Sequence, residues 1–425
     1  MKLDYKRVAL VGFAFLLIQS FWQAYDAIVP LILVNKYGMN QTFSGVVMAL
    51  DNALAVFMLP LFGAISDRYN SIHGRRTPFI FVGTILAVIF FITMSLVNNL
   101  WLFIFLLLLT LISMAIFRSP AVALMPDITV KPYRSKANAI INLMGTIGGI
   151  TVLGLGALFK TGVKGKTDFT AYIIAVGAVM IIALIIFIST VKENKWSKEM
   201  QENTDKYFKD TEAEEREEVG GRLTRSQLKS LIFILASVAL WYIGYNAVIS
   251  KYSLYATNVL KQDYNTTLLI AQGAAIITYF PVGIIASKVG RKKSIIAGVV
   301  MLAIAFGSAS FITAGSSKYI MYGLFSLAGI AWATINVNSF PMVVELAKGN
   351  DVGKYTGYYY TASMAAQIIT PVLSGGIMDL VGNMSPLFPY ATIFVTLAFI
   401  TMLFVKHGDS KPISKGFLES IGEDN

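Results

Sequence analysis

The chain has no cysteine and only two histidines, His73 and His407, in 425 residues. The first absence excludes a disulfide framework, thiolate catalysis and Cys-ligated zinc or iron–sulfur centres. The second leaves no room for a histidine-rich metal site, and both histidines are read as inert. Charge is scarce as well, at 14% of residues, against roughly 25% in a soluble globular protein. There is no nucleophile elbow, no His-x-x-x-His pair and no Gly-x-x-x-x-Gly-Lys-Ser/Thr phosphate loop, so neither an enzyme nor direct use of ATP by this chain is indicated.

Apolar residues fill the gap, at 56% with a mean hydropathy of +0.65. They form runs near the ~20 residues that a bilayer-spanning helix needs. Twelve spans are predicted, at 8–34, 42–65, 78–97, 100–125, 137–159, 169–191, 229–250, 266–286, 293–314, 318–344, 356–380 and 386–405. An outer-membrane barrel would instead show alternating segments of about 10 residues, whereas Leu100–Ile116 is almost continuously apolar. The first span follows a basic N-terminus but runs on through Trp22, Tyr25 and Asp26 without a small-residue cleavage site, and is read as retained.

The cations sort the loops. If both ends lie on one side, that side holds 27 of the 35 Lys and Arg residues, the opposite side seven, and Arg118 lies within a span. This asymmetry predicts cytoplasmic termini in a cell membrane. It also explains the net charge of +11 as topology, with no nucleic-acid partner. Residues 192–228, with Lys195, Lys198 and Lys206 set against Glu214, Glu215, Glu217 and Glu218, read as a solvated, partly helical cytoplasmic linker. The expected division is therefore a half at 1–191, the linker, and a half with a short tail at 229–425.

An internal repeat supports two halves. Gly63-Ala64-Ile65-Ser66-Asp67-Arg68, continuing to Gly74-Arg75-Arg76, lies between spans two and three; Gly283-Ile284-Ile285-Ala286-Ser287-Lys288, continuing to Gly290-Arg291-Lys292, lies between spans eight and nine. Tyr25-Asp26-Ala27 in span one returns as Tyr245-Asn246-Ala247 in span seven, and Pro120-Ala121-Val122 as Pro341-Met342-Val343. Parallel six-helix repeats, with substrate bound near the midplane, are a common plan of secondary transporters.

The Gly-x-x-x-Asp-Arg and Gly-Arg-Arg elements resemble the loop signature of the major facilitator superfamily. The longer string through Thr77-Pro78-Phe79, with Pro120-Ala121-Val122-Ala123-Leu124-Met125-Pro126-Asp127 and the following Ala137-Asn138-Ala139, resembles the sucrose/H⁺ symporters and the related glycoside–pentoside–hexuronide:cation symporters. The resemblance implies an all-α integral membrane fold of twelve helices in two pseudo-symmetric halves, moving a sugar or glycoside with a proton. It implies that Gly63 permits close helix approach and that Asp67, Arg68, Arg75 and Arg76 latch the cytoplasmic side. Two departures stand out. Val122 occupies the place where sucrose symporters carry Arg, and Leu59 and Ala55 occupy the places of the paired acids of melibiose-type sodium sites.

Ionisable groups inside a membrane are costly and so mark functional candidates. Asp26 sits among Trp22, Gln23 and Tyr25, a mixture of carboxylate and aromatic faces that suits sugar hydroxyls and the C–H face of a pyranose. Asp51, beside Asn52, is the alternative proton carrier or a gate residue. Arg118, the only cation expected deep in the bilayer, needs a carboxylate, for which Asp26 is the first choice and Asp127 the second. Burial favours the neutral form of a carboxylate and a nearby guanidinium favours the charged one, an opposition able to couple proton and substrate. Asp127 and Glu345 are expected at the gate. Tyr245, Asn246, Trp332, Asn336, Asn338 and Gln367 are the second half's expected substrate contacts. The expected protein is a monomer in the lipid bilayer with no resident cofactor. An exporter of amphipathic compounds, a lipid flippase and a non-transporting receptor are the alternatives.

Overall fold

A computed structural model describes residues 4–129, 134–211, 223–346 and 352–408. The acidic run from Glu214 to Glu218, the cation Lys131 and the tail beyond residue 408 lie outside the described residues. Thirteen α-helices follow one another, with no strand among the described residues: α1 (Tyr5–Leu31), α2 (Gln41–Arg68), α3 (Thr77–Leu96), α4 (Leu100–Ile128), α5 (Arg134–Leu158), α6 (Thr170–Thr190), α7 (Glu193–Thr211), α8 (Arg225–Tyr255), α9 (Tyr264–Val289), α10 (Arg291–Ala309), α11 (Lys318–Val344), α12 (Val352–Val381) and α13 (Leu387–Leu403). Among the described residues ten are long and apolar enough to cross a membrane; α9 and the shorter α13 complete the twelve spans, and α7 is polar.

Helix ends follow the local chemistry. Asp4 and Asn99 cap α1 and α4 by accepting the amides of Arg7 and Leu102, each at 3.1 Å. Pro78 occupies the first turn of α3, where its missing N–H leaves no bond unmade. Before α6, Asp168 accepts the Thr170 amide at 2.9 Å, and these bonds to Thr170 hold its carboxyl below the usual carboxylate range. At the other end of α3, Lys36 Nζ and the Tyr37 hydroxyl both donate to the Val97 carbonyl, at 2.8 and 2.9 Å.

Two helices do not stop where the α pattern stops. α1 runs into a π-helical turn at Ile32–Lys36, and α8 into one at Ala256–Leu260. Asn258 Nδ2 in the second donates to Asn35 Oδ1 in the first at 3.1 Å.

The chain forms two compact units. The first comprises 1–40, 46–215 and 256–266; the second comprises 41–45, 216–255 and 267–425. Within the first, α1 packs on α5 and α6, and α3 packs on α4 and α6. Its core includes Phe21, edge-on to Phe91 with ring centres 5.1 Å apart, and Tyr25 stacked on Phe21. The second unit repeats the plan: α8 packs on α12 and α13, and α10 packs on α11 and α13. Large apolar side chains such as Trp101, Ile182 and Leu397 stay exposed, as surfaces that meet lipid do.

Candidate functional site

In the first unit, α1 sets Trp22, Tyr25 and Asp26 at i, i+3 and i+4, so all three lie on one helical face. Gln23 and Asp26 are half-buried. α4 brings Arg118, whose guanidinium carbon stands 5.3 Å from the ring centre of Trp22. α2 brings Asp51, whose charge acts on Arg118 and also on Asp26 and Tyr25. Asn52 orients Asp51 by donating both its amide N–H (2.5 Å) and Nδ2 (2.8 Å) to Asp51 Oδ1. Among the described residues, the Trp22 indole N–H and the fully buried Tyr25 hydroxyl have no hydrogen-bond partner.

Two expectations about cations need correction. The carboxylate acting on Arg118 is Asp51, whereas Asp127 is taken up elsewhere by Arg76 at 2.9 Å. Nor is Arg118 the only buried cation. Lys251, expected in a loop, lies inside α8 and is fully buried, because the helix continues through Tyr252–Tyr255 past the charge. Its signal was the apolar and aromatic run resuming directly after it.

In the second unit, Tyr245 of α8 and Trp332 of α11 lie face to face, with ring centres 3.6 Å apart and planes 2° from parallel; Tyr242 meets Trp332 edge-on at 5.3 Å. Tyr242 hydrogen-bonds Tyr359, which shares a 2.9 Å bond with Ser339, and Asn336 bonds Tyr279. Asn246, Asn338 and Gln367 each turn their NH₂ group back onto their own helix, to the carbonyls of Tyr242, Thr334 and Ser363. Asn338 is buried at 2% exposure, while Asn246, Asn336 and Gln367 are half-buried.

The loop motif between α2 and α3 forms a network within the first unit. Arg76 is buried; it pairs with Asp127 and Asp67, donates to Ser66 Oγ, and reaches the Gly63 carbonyl at 3.5 Å. Burial disfavours its charge, yet Asp127 and Asp67 outweigh that and hold its pKa above the ordinary arginine value. Arg75 stands 3.7 Å from Asp127, and Arg68 is exposed at the end of α2. A Cβ at Gly63 would lie 2.9 Å from Ser119 Oγ on α4, so the glycine allows the two helices to approach. In the second unit the matching pair is Arg291 with Glu345.

Sequence reading missed Glu193, the first residue of α7. Its carboxylate accepts the amides of Arg75 (2.7 Å), Arg76 (2.9 Å) and Thr77 (2.8 Å) and the Thr77 hydroxyl (2.8 Å), capping α3 from another helix. Asn194 adds bonds to the carbonyls of Ser71 and Ile72 at 3.0 Å, and Arg7 lies over Trp196 while pairing with Glu199. Part of the linker is thus a built piece of the first unit.

Two matched sets of packed helices, an intramembrane acid–base group and a repeated basic loop define a multi-pass membrane transporter. The chain belongs to the Major Facilitator Superfamily, whose family model matches residues 11–274 and 261–420. A stretch of 172 residues is 27% identical to a probable nitrate transporter, NarT, of Staphylococcus epidermidis; it spans 40% of this chain and only 42% of that relative. Among solved structures, the inward-open xylose transporter XylE from E. coli aligns over 98% of this chain and 99% of its own, at 12% identity and a TM-score of 0.71. A mutant of the nucleoside transporter NupG aligns over 95% and 100%, at 14% identity and a TM-score of 0.68. A peptide transporter POT in complex with sulfate aligns over 94% and 93%, at 12% identity and a TM-score of 0.70. At such identities the likeness establishes the twelve-helix fold.

Proposed function

We propose that this chain is a proton-coupled symporter of a sugar or glycoside, working by alternating access. The observation that carries the reading is the grouping of Asp26, Asp51 and Arg118 on α1, α2 and α4 around Trp22. Asp51 acts both on Arg118 and on Asp26, so two carboxylates are grouped with one guanidinium and leave a surplus acid. A proton on one of them balances the set, while the other remains the counter-ion of Arg118. Asp51 is engaged by the two bonds from Asn52 and by the charge of Arg118, which leaves Asp26 as the proton carrier. Each unit by itself carries groups that suit a sugar: the ring face of Trp22 in the first, and in the second the rings of Tyr245 and Trp332 for an apolar pyranose face and the amides of Asn246, Asn336 and Gln367 for hydroxyls. The motif resemblance to the sucrose and glycoside symporters supports the same substrate class.

By the charge asymmetry of the loops, both termini lie in the cytoplasm of a cell carrying the protein in its plasma membrane. The halves at 1–191 and 229–425, joined by the linker, form one working monomer. Asp67, Arg68, Arg75, Arg76 and Asp127, with Glu345 in the second half, serve the cytoplasmic gate.

The NarT relative supports a second reading, an anion held by Arg118. The surplus acid opposes it, because a lone anion would meet two carboxylates and one cation. Uptake of labelled glycosides and of nitrate into proteoliposomes, under imposed pH or sodium gradients, separates the readings. Sugar accumulation driven by the pH gradient is expected; accumulation of nitrate alone overturns the sugar assignment.

A further inference from the structure

The second unit repeats the pattern of the acid–base group with its charges removed. In the register that pairs Tyr25 with Tyr245 and Asp26 with Asn246, Trp22 pairs with Tyr242. In the register that pairs Pro120 with Pro341, Arg118 pairs with Ser339. The first unit thus carries Trp22, Tyr25, Asp26 and Arg118 where the second carries Tyr242, Tyr245, Asn246 and Ser339. Each unit joins the same positions by its own packing. Trp22 of α1 meets Arg118 of α4, and Tyr242 of α8 reaches Ser339 of α11 through one intermediate, Tyr359 of α12.

This line of three hydroxyls is anchored at one end and open at the other. Ser339 has no exposure and Tyr359 is 3% exposed, whereas Tyr242 is half-buried. Ser339 and Tyr359 share a 2.9 Å bond, and Tyr359 bonds Tyr242. A hydroxyl carries one hydrogen and two lone pairs. Whichever way the bonds run, the Tyr242 oxygen therefore keeps a lone pair for a further donor. Its ring is held as well, edge-on to Trp332 at 5.3 Å, while Tyr245 covers a face of Trp332 at 3.6 Å. Tyr242, Tyr245 and Asn246 stand at i, i+3 and i+4 and so share one face of α8. Asn246 donates its NH₂ to the Tyr242 carbonyl at 3.0 Å, which keeps its amide oxygen as an acceptor. A polar group already fixed in place loses little further freedom when a solute binds it.

We propose that Tyr242 is a ligand for a hydroxyl of the substrate, with Tyr359 and Ser339 as positioning residues that hold its phenol in one orientation. The inference rests on the sugar reading above and adds three residues which that reading leaves out. A neutral phenol can tell a hydroxyl from a hydrogen atom without the cost of burying a charge at this place.

The test uses proteoliposomes under a pH gradient, offered labelled sucrose, maltose or methyl β-glucoside; the sugar taken up fastest is the probe. Tyr242→Phe keeps the ring and its edge contact and removes only the oxygen. It should raise KM for the probe about three- to tenfold, as the loss of one neutral hydrogen bond does, and leave kcat nearly unchanged. Competition by monodeoxy derivatives of the probe then identifies the bond. For the parent protein, one derivative should compete markedly less well than the full sugar. For Tyr242→Phe, that same derivative should compete as well as the full sugar, because both changes remove one bond from opposite sides. A variant that merely loosens the fold would weaken every derivative alike. Tyr359→Phe and Ser339→Ala should blunt the discrimination in part, and Ser339→Thr, which returns a hydroxyl, should recover it. Full discrimination in Tyr359→Phe and Ser339→Ala overturns the positioning role. Sugar uptake with unchanged KM and unchanged discrimination in Tyr242→Phe overturns the ligand role and leaves the sugar reading intact. Accumulation of nitrate alone overturns the sugar reading, and the ligand role with it.

Discussion

The guanidinium of Arg118 lies 5.3 Å from the ring centre of Trp22, and the carboxylate whose charge reaches it is Asp51 of α2. Among the described residues Arg118 makes no direct ion pair. Its compensation is thus a field and an aromatic face, an arrangement that a bound solute can enter without first breaking a bidentate contact.

The first prediction concerns that pair. Arg118→Ala and Asp51→Asn should couple by about 1 kcal/mol or more in a double-mutant cycle read from thermal unfolding of the purified protein. Arg118→Ala with Asp26→Asn should couple less, because Asp51 is the carboxylate whose charge reaches the guanidinium. The reverse order would make Asp26 the counter-ion of Arg118. Arg118→Lys, which keeps the charge and loses the planar fork, should weaken sugar binding strongly.

Asp26→Asn tests the proton route. The amide hydrogen-bonds but does not titrate, so accumulation driven by a pH gradient should vanish while exchange of labelled for unlabelled sugar continues. Normal pH-driven accumulation by this variant removes Asp26 from coupling and transfers the role to Asp51.

Glu193 offers a test of stability. Four donors converge on one carboxylate, so Glu193→Ala should destabilise the protein by about 1–3 kcal/mol and lower its Tm. Glu193→Gln should fall between the two, since it keeps an acceptor oxygen but adds an NH₂ group facing amide hydrogens. An unchanged Tm in Glu193→Ala would mean that water replaces the cap without loss.

Trp332→Leu removes the partner of Tyr245. Aromatic pairs contribute about 0.5–1.5 kcal/mol beyond their area, so the half-saturating sugar concentration should rise by about tenfold at most with little change in maximal rate. A loss confined to maximal rate would place the stack in a conformational step instead.

The spans were legible because continuous apolar runs of membrane length have few other readings. The repeat was legible because Gly63 and Gly283, and Tyr25 and Tyr245, recur at the same spacing. Asp26, Asp51 and Arg118 were visible one by one as charges in apolar surroundings. Which carboxylate serves Arg118 was not, since that depends on the rotation of α2 against α4. Lys251 was lost for a different reason: a span boundary drawn at a charge ends where the helix does not. Glu193 lay in a mixed-charge run with no local pattern to single it out, and its partners, Arg75 to Thr77, are more than a hundred residues away.

The π-helical turns at Ile32–Lys36 and Ala256–Leu260 carry a consequence for any helical-wheel drawing of this chain. Each turn accommodates one residue more than an α-turn, so everything beyond it is rotated by about 100° from where a uniform α-helix would put it. Asn35 and Asn258 both sit inside these widened turns and meet there at 3.1 Å. A wheel drawn straight through Leu31 or Tyr255 assigns the wrong azimuth to both asparagines. Deleting a single residue from either turn would restore a regular helix and swing the amide aside. Helix-shortening variants at these two places should therefore be chosen by phase rather than by length.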